Sequence, residues 1–65
     1  MKIYKKYNKN GKLVQTARIV LLQCGRYSFE TSLFGVKPYE TNMNMPIMNT
    51  ESEAIQWIEN SNEWQ

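Results

Sequence analysis

The sequence contains no histidine and no aspartate, and it has a single cysteine, Cys24. The missing histidine and aspartate exclude Ser-His-Asp and Cys-His catalysis, histidine-containing zinc sites and EF-hand calcium loops, because each needs a residue type that the chain lacks. One cysteine cannot form an internal disulfide, the usual support of small secreted domains, so we expect a reducing, cytoplasmic setting. The expected protein is not an enzyme and uses no cofactor and no metal.

Long apolar segments and glycine-rich loops are also missing. The longest apolar run, residues 19–22, is far shorter than the roughly 20 residues of a membrane-spanning helix and too short for the apolar region of a signal peptide. We therefore expect no membrane partner. The three glycines are isolated and form no phosphate-binding loop. A chain of 65 residues forms one domain of marginal stability, which we expect to be a monomer or a weak homodimer.

Three segments have the composition of β-strands: residues 3–7, 13–24 and 27–34. Turn residues separate them, because Asn10-Gly11 is a strong hairpin signal and Gly25 marks a second turn. Apolar and polar residues alternate with period two in the third segment. These features predict a three-stranded antiparallel meander.

Residues 36–48 separate the meander from a C-terminal helix. Pro38 and Pro46 favour a long loop, whereas the alternation of apolar and polar residues favours an edge strand near 39–45. The predicted fold is α+β: a three- or four-stranded antiparallel meander sheet packed on one C-terminal helix, βββα or ββββα. All of it forms a single small domain, and the tail 61–65 either folds back through Trp64 or frays.

The helix is indicated by a capping box, Thr50-Glu51-Ser52-Glu53, followed by an apolar stripe at helical spacing. The stripe consists of Ala54, Ile55, Trp57 and Ile58. We assign Trp57 as the core residue of the helix and Trp64, near the end of the chain, as an exposed interface aromatic.

The predicted turns also assign the two faces of the sheet. A two-residue turn at Gly25 pairs even positions of the second strand with odd positions of the third. One face then carries Val20, Leu22 and Cys24 beside Tyr27, Phe29 and Leu33, and we expect it under the helix. Cys24 is accordingly interpreted as a small core residue rather than a nucleophile. The opposite face carries Leu13, Ala17, Ile19 and Leu21. Either a bulge within this strand reverses the faces of its side chains, or the fourth strand or the tail covers them, or they form an apolar patch for dimerisation or partner docking.

Charge is unevenly distributed along the chain. Residues 1–26 contain seven basic residues and no acid, whereas residues 27–65 contain one basic residue and all six glutamates. The first hairpin therefore combines positive charge with interleaved tyrosines, and we predict that it is the partner-binding surface. Its residues are Tyr4, Lys5, Lys6, Tyr7, Lys9, Lys12 and Arg18. The alternative interpretation is a solvated, lysine-bearing edge strand that resists aggregation.

The predicted function is that of a small non-catalytic module that binds a macromolecule. A protein partner is favoured, because a basic surface steers encounter with an acidic one, and the expected role is an inhibitor or accessory factor of phage or mobile-element type that occludes its partner's surface. Residues 36–48 are the second candidate surface. The alternative is a sequence-tolerant nucleic-acid-binding domain that uses the same hairpin, since lysines attract phosphates and tyrosines stack on bases.

A resemblance bears on this alternative. The basic three-stranded meander with its asparagine-glycine turn, followed by the capped helix at residues 50–58, resembles the arm-site DNA-binding domains of tyrosine recombinases. The resemblance implies a sheet followed by a helix, with DNA as the partner. The chain departs from the pattern in its acidic second half and in residues 36–48. The same topology is common among small inhibitors from phages and mobile elements, and fold alone does not establish function.

Overall fold

The computed structural model describes residues 2–65. It contains β1 (Tyr4–Tyr7), β2 (Leu13–Leu21), β3 (Tyr27–Leu33), β4 (Glu40–Thr41) and α1 (Glu51–Glu59). The strands form one antiparallel sheet in the order β1-β2-β3-β4, which confirms the predicted α+β meander with a C-terminal helix in its four-stranded form. The fourth strand has only two residues and is much shorter than the predicted 39–45. Within residues 2–65, no helix has the length and apolar character needed to cross a bilayer.

The two hairpins close in the same way. In the first, the Asn8 amide donates to the Lys12 carbonyl at 2.9 Å, and in the second the Leu22 amide donates to the Arg26 carbonyl at 2.7 Å. Each hydrogen bond encloses three residues, the last of which is a glycine at positive φ, Gly11 at 80° or Gly25 at 87°. This is the common three-residue hairpin loop, in which glycine adopts the left-handed conformation at low cost. The predicted two-residue turns are therefore wrong.

The length of the second turn decides which residues share a face. Ile19 lies opposite Phe29, and Ala17 lies opposite Thr31. Directly opposed residues point to the same side of a sheet, so odd positions of β2 lie with odd positions of β3. Our even-with-odd assignment is wrong, because an odd number of loop residues replaced the expected even number. Cys24 lies in this turn and is exposed, so its predicted place in the core is wrong as well.

A β-bulge modifies the first hairpin. Lys6 lies opposite Gln15, but Tyr7 lies opposite Leu13, so Val14 is an extra residue without a partner on β1. The bulge compensates for the extra residue of the three-residue turn. Tyr4 therefore lies opposite Ala17, as it would after a two-residue turn without a bulge.

The helix covers the face that carries these odd positions, which we call the helix face. Its buried apolar residues are Tyr4, Ala17, Phe29, Ala54, Ile58 and Trp64. Ala17, Phe29 and Ile58 are completely buried, and Ile19 packs against this core. Of the aliphatic residues that we considered for a dimerisation patch, Leu21 remains 63% exposed.

The two tryptophans exchange the roles predicted for them. Trp64 is only 6% exposed, whereas Trp57 is 39% exposed, although its ring lies 5.5 Å from that of Phe29 between centroids. The reason lies in the tail, which folds back. The amide and carbonyl of Gln65 both bond the backbone of Lys5, at 2.8 and 2.9 Å, so the tail runs beside β1 and Trp64 is brought against the core.

The start of the helix agrees with half of the predicted capping box. The Thr50 hydroxyl accepts a hydrogen bond from the Glu53 amide at 3.2 Å, as expected for an N-cap. The same hydroxyl donates to the Glu53 carboxylate at 3.0 Å, so that carboxylate bonds the side chain of Thr50.

The opposite face, which we call the loop face, is covered by residues 34–48 and is mostly polar. Thr16, Ser28 and Ser32 are between 1% and 5% exposed. Ser28 donates to the Pro46 carbonyl at 3.1 Å, and Ser32 donates to the Lys37 carbonyl. Among residues 2–65, every buried side-chain nitrogen or oxygen has a hydrogen-bond partner. The loop is thus attached to the sheet by directional bonds.

Candidate functional site

Tyr4 does not lie on an accessible surface, although it belongs to the predicted site. Its side chain is 3% exposed, and its hydroxyl donates to the Glu59 carboxylate at 3.0 Å. Because Tyr4 lies opposite Ala17, its ring is part of the helix-face core. The structure therefore corrects its assignment to the binding surface.

Arg18 forms an ion pair with Glu30, the residue opposite it on β3. Its Nε and Nη2 groups both donate to Glu30 Oε1, at 3.0 and 2.8 Å. Its guanidinium lies 4.2 Å from the centroid of the Tyr39 ring, a cation–π arrangement. Tyr39 in turn shares a hydrogen bond of 3.0 Å with Thr16. Arg18 thus joins the sheet to the covering loop, and a glutamate neutralises its charge.

Lys6 and Lys2 also have acidic partners. Lys6 Nζ lies 3.7 Å from the Glu63 carboxylate and 5.7 Å from the Trp64 ring centroid, and Lys2 Nζ lies 3.0 Å from Glu59. Together with Arg18–Glu30, these are the ion pairs found within residues 2–65. Each joins a basic residue of the first 26 to a glutamate of the remainder. Folding therefore partly neutralises the charge separation seen in the sequence.

Lys2, Tyr4 and Glu59 form one coupled cluster. The pKa of Glu59 is lowered, first by the hydrogen bond from Lys2 and then by that from Tyr4. The pKa of Lys2 is raised, chiefly by its hydrogen bond to Glu59. The pKa of Tyr4 is raised, first by burial and then by its hydrogen bond to Glu59. The cluster links the start of the chain to the end of the helix.

Four of the predicted residues remain exposed on the first hairpin, and we call them the hairpin surface: Lys5, Tyr7, Lys9 and Lys12. Within residues 2–65, no carboxylate lies within 4.0 Å of the three lysines. Lys5 lies opposite Thr16 and Tyr7 opposite Leu13, so both point toward the loop face, away from Tyr4 and Lys6. Lys9 and Lys12 belong to the turn and its flank. Tyr7 is 39% exposed.

A second feature, which was not predicted from the sequence, lies beside this surface. Residues 33–37, which we call the Phe34 turn, follow β3 and expose three apolar side chains. Leu33 is 53%, Phe34 58% and Val36 80% exposed. The amides of Val36 and Lys37 both donate to the Leu33 carbonyl, at 3.3 and 3.2 Å.

Backbone geometry makes this turn unusual. Phe34 has φ 58° and Gly35 has φ 71°, the two positive values of a type I′ turn. Asparagine and glycine are typical at these positions. A left-handed conformation costs a non-glycine residue about 1–2 kcal/mol, and Phe34 is the only such residue among 2–65. The sequence signal was present in the apolar run Leu33-Phe34-Gly35-Val36, which breaks the alternation of β3.

The Phe34 turn packs beside the hairpin surface. The Phe34 amide donates to the Val14 carbonyl at 2.9 Å. A Cβ atom placed on Gly35 would lie 3.1 Å from Leu13 Cδ2, so the turn lies directly against the residue that follows Lys12. Leu13 in turn is opposite Tyr7. The exposed tyrosine and lysines of the hairpin and the exposed Phe34 are therefore at the same end of the sheet.

A groove of about 390 Å³ adjoins the turn on its other side. Leu33 and Met43 contribute apolar lining, and Lys37 and Glu40 contribute charge. Met43 is 92% exposed. The segment 36–48, our second candidate surface, thus borders the first one.

Comparisons of this chain with family models, with curated proteins and with solved structures give no match. Within residues 2–65, no three Cys or Glu side chains converge in a way that could hold a metal ion.

Proposed function

We propose that this chain is a non-catalytic protein-binding module that docks on an acidic partner surface through Lys5, Tyr7, Lys9 and Lys12. The observation that carries the proposal is that some basic residues have acidic partners and others do not. In the described part of the chain, residues 2–65, Lys2, Lys6 and Arg18 have glutamate partners, whereas the hairpin lysines have none. Unneutralised like charges on one hairpin accelerate encounter with an oppositely charged surface and select against basic ones.

The same set of residues favours protein over nucleic acid. Base stacking needs accessible aromatic rings beside the cations, and of the two interleaved tyrosines only Tyr7 is exposed, because Tyr4 is buried. Three lysines and one tyrosine make a small phosphate-binding surface, since each phosphate contact contributes only one step to the salt-dependent affinity. A sequence-tolerant nucleic-acid-binding domain remains the alternative that the experiment below distinguishes.

Occlusion of a partner's surface is the mechanism that we propose. A standard interface takes about 800 Å² from each partner, roughly a sixth of the 4840 Å² that this protein exposes. A domain of this size blocks a site on its partner through a single interface, so the mechanism needs no second binding site on this protein. We place this activity in a reducing, cytoplasmic compartment on the ground of the single cysteine, and an inhibitor or accessory factor of phage or mobile-element type has these properties.

The test compares two variants with the same change in net charge. Lys5→Gln/Lys9→Gln/Lys12→Gln removes charge from the hairpin surface, and Gln23→Glu/Arg26→Glu removes the same charge at exposed positions of the β2–β3 turn. Wild type and both variants are used for affinity capture from host lysate, and the captured protein is then purified and titrated. We expect the hairpin variant to lose this protein and the control to retain it.

Two results would contradict the proposal. Equal capture by both variants would mean that the hairpin lysines do not form the binding surface. Titration with labelled duplex and single-stranded DNA at low and high salt gives the second: hairpin-dependent DNA binding, together with no captured protein, would replace the proposal with the nucleic-acid alternative.

A further inference from the structure

Phe34 combines a strained backbone conformation with an exposed side chain. Its φ of 58° belongs to a type I′ turn, in which asparagine or glycine is preferred. Phe34 is 58% exposed, so burial offsets only part of this conformational cost. Strain retained at an exposed aromatic residue is typical of a functional position. Hydrogen bonds from the Phe34 amide to the Val14 carbonyl and from the Val36 amide to the Leu33 carbonyl hold the backbone of the turn against the sheet.

The surroundings of Phe34 are apolar at the centre and basic at the edge. Leu33 and Val36 are exposed on either side of it in the chain. Lys37 belongs to the same turn, and Lys12 precedes Leu13, against which the turn packs. The first acidic residue after the turn in the chain is Glu40, which lines the adjoining groove together with Lys37.

We propose that Phe34 is the residue that inserts into an apolar pocket on the partner protein, and that acidic residues line the rim of this pocket. The inference rests on the proposed function and adds to it the chemistry of the partner's site. An aromatic residue at the centre of an interface, surrounded by polar contacts that exclude water, is the usual source of binding energy in protein complexes. The lysines supply charge complementarity at the rim and contribute mainly to the association rate.

The same observations favour a folded protein over a membrane as the partner that receives Phe34. A fluid bilayer accepts an aromatic side chain in many orientations, so it gains nothing from a turn whose backbone is constrained. A preformed pocket does gain, because a backbone that is already held by hydrogen bonds loses less conformational entropy on binding. Insertion into an anionic membrane is therefore treated as an outcome of the test.

The test separates stability from binding at one residue. Phe34→Asn places at this position the residue that a type I′ turn prefers, so we expect the urea midpoint of unfolding to rise while binding weakens by about 30-fold or more. Leu21→Asn is the control, because Leu21 is equally exposed at the opposite end of β2. A residue with a merely structural role would not show opposite effects on stability and binding.

The probe is a small folded domain selected on the wild-type protein from a displayed library of repeat domains with a randomised concave surface, because a short peptide has no preformed pocket. We expect the selected concave surfaces to combine an apolar centre with acidic residues at the rim. Binding of the selected domain, measured by fluorescence anisotropy, should weaken with Phe34→Asn and be retained with Leu21→Asn. Selected surfaces without acidic enrichment, or a lower urea midpoint for Phe34→Asn, would overturn the inference.

Two further comparisons separate this inference from the proposed function. If Lys5→Gln/Lys9→Gln/Lys12→Gln abolishes binding of the selected domain and Phe34→Asn does not weaken it, the inference is wrong and the proposed function stands. If neither variant changes binding, both are wrong. Vesicles of anionic phospholipid are the last probe, and Phe34-dependent binding to them would overturn the assignment of a protein as the occupant.

Discussion

The two faces of the sheet reach a similar degree of burial by different means. On the helix face, Phe29 and Ile58 are completely buried and contribute only apolar contacts. On the loop face, Ser28 and Ser32 are 3% and 1% exposed, and each donates a hydrogen bond to a carbonyl of the covering loop. The first face is stabilised by burial in proportion to area, and the second by bonds that need a particular geometry.

This difference affects which residues remain exposed. The covering loop leaves apolar side chains such as Val36 and Met43 exposed, whereas the helix buries Ala54 and Ile58 against the sheet. Lys5 and Tyr7 point toward the loop face, whereas Tyr4 is buried on the helix face. Most of the residues that we propose for binding are thus separated from the apolar core.

The largest expected effect breaks the helix face. Phe29→Ala removes a fully buried aromatic ring and should cost about 3–5 kcal/mol. A domain of this length has a total stability of only about 3–10 kcal/mol, so the variant should be largely unfolded or close to it. Urea denaturation followed by tryptophan fluorescence measures the change. Leu21→Ala on the same face, where the side chain is 63% exposed, is the control; an equal loss in both variants would show that burial does not decide stability here.

The next effect tests the loop face. Ser32→Ala removes the donor to the Lys37 carbonyl at a site that is 1% exposed, and it should cost about 1–2 kcal/mol in the free energy of unfolding. Ser52→Ala, at an exposed position of α1, should change stability by less than about 0.5 kcal/mol. If Ser32→Ala proves as neutral as its control, the loop is held by apolar contacts and the contrast between the faces fails.

A smaller effect is expected at the link between sheet and loop. Arg18→Lys retains the charge but loses the planar group that bonds Glu30 and stacks on Tyr39, and it should cost about 0.5–1 kcal/mol because the pair is partly exposed. Thermal unfolding of this variant is compared with that of Arg26→Lys, which changes an exposed turn residue. A stability equal to that of the control would show that the guanidinium geometry does not matter.

The smallest effect concerns pH at the edge of the helix face. The pKa of Glu59 is lowered from its ordinary 4.5, so its stabilising contribution is present above that value and is lost as pH falls through the lowered pKa. The pKa values of Tyr4 and Lys2 are raised from 10.0 and 10.5, so their contribution is present below pH 10 and is lost as pH rises through the raised values.

Glu59→Gln should therefore flatten both the acid and the alkaline limbs of a plot of melting temperature against pH. Glu40→Gln, at an exposed position of β4, is the control and should retain the shape of the wild-type plot. A Glu59→Gln plot that keeps both limbs would mean that the cluster of Lys2, Tyr4 and Glu59 does not form in solution.

Local patterns were sufficient for most elements of this fold. The alternation in β3, the asparagine-glycine and cysteine-glycine turns and the Thr50 cap each involve neighbours a few residues apart, and β1, β2, β3 and the helix appear where these signals lie. The two-residue β4 lies in residues 36–48, where the local signals left a loop and an edge strand both open. The faces of the sheet were not predicted correctly, because one additional loop residue in the second turn shifts the register by one and moves Ala17 and Ile19 to the other side.

Some features of the candidate site could likewise be predicted from the local sequence, and others could not. That Lys9 and Lys12 belong to an exposed turn follows from their neighbours in the sequence. That Tyr4 is buried, that Arg18 is neutralised by Glu30 and that Phe34 lies beside the hairpin depend on register and on the path of the loop. No local pattern in the first 26 residues contains this information.

The sequence by itself determined that this protein is a small α+β domain with a basic first hairpin and an acidic remainder. Only the tertiary structure decided which charges remain available, because folding places Lys2, Lys6 and Arg18 beside glutamates that are distant in the chain. The physical reason is that strand type and helix caps arise from local interactions, whereas faces and ion pairs depend on strand register, which is a property of the whole sheet.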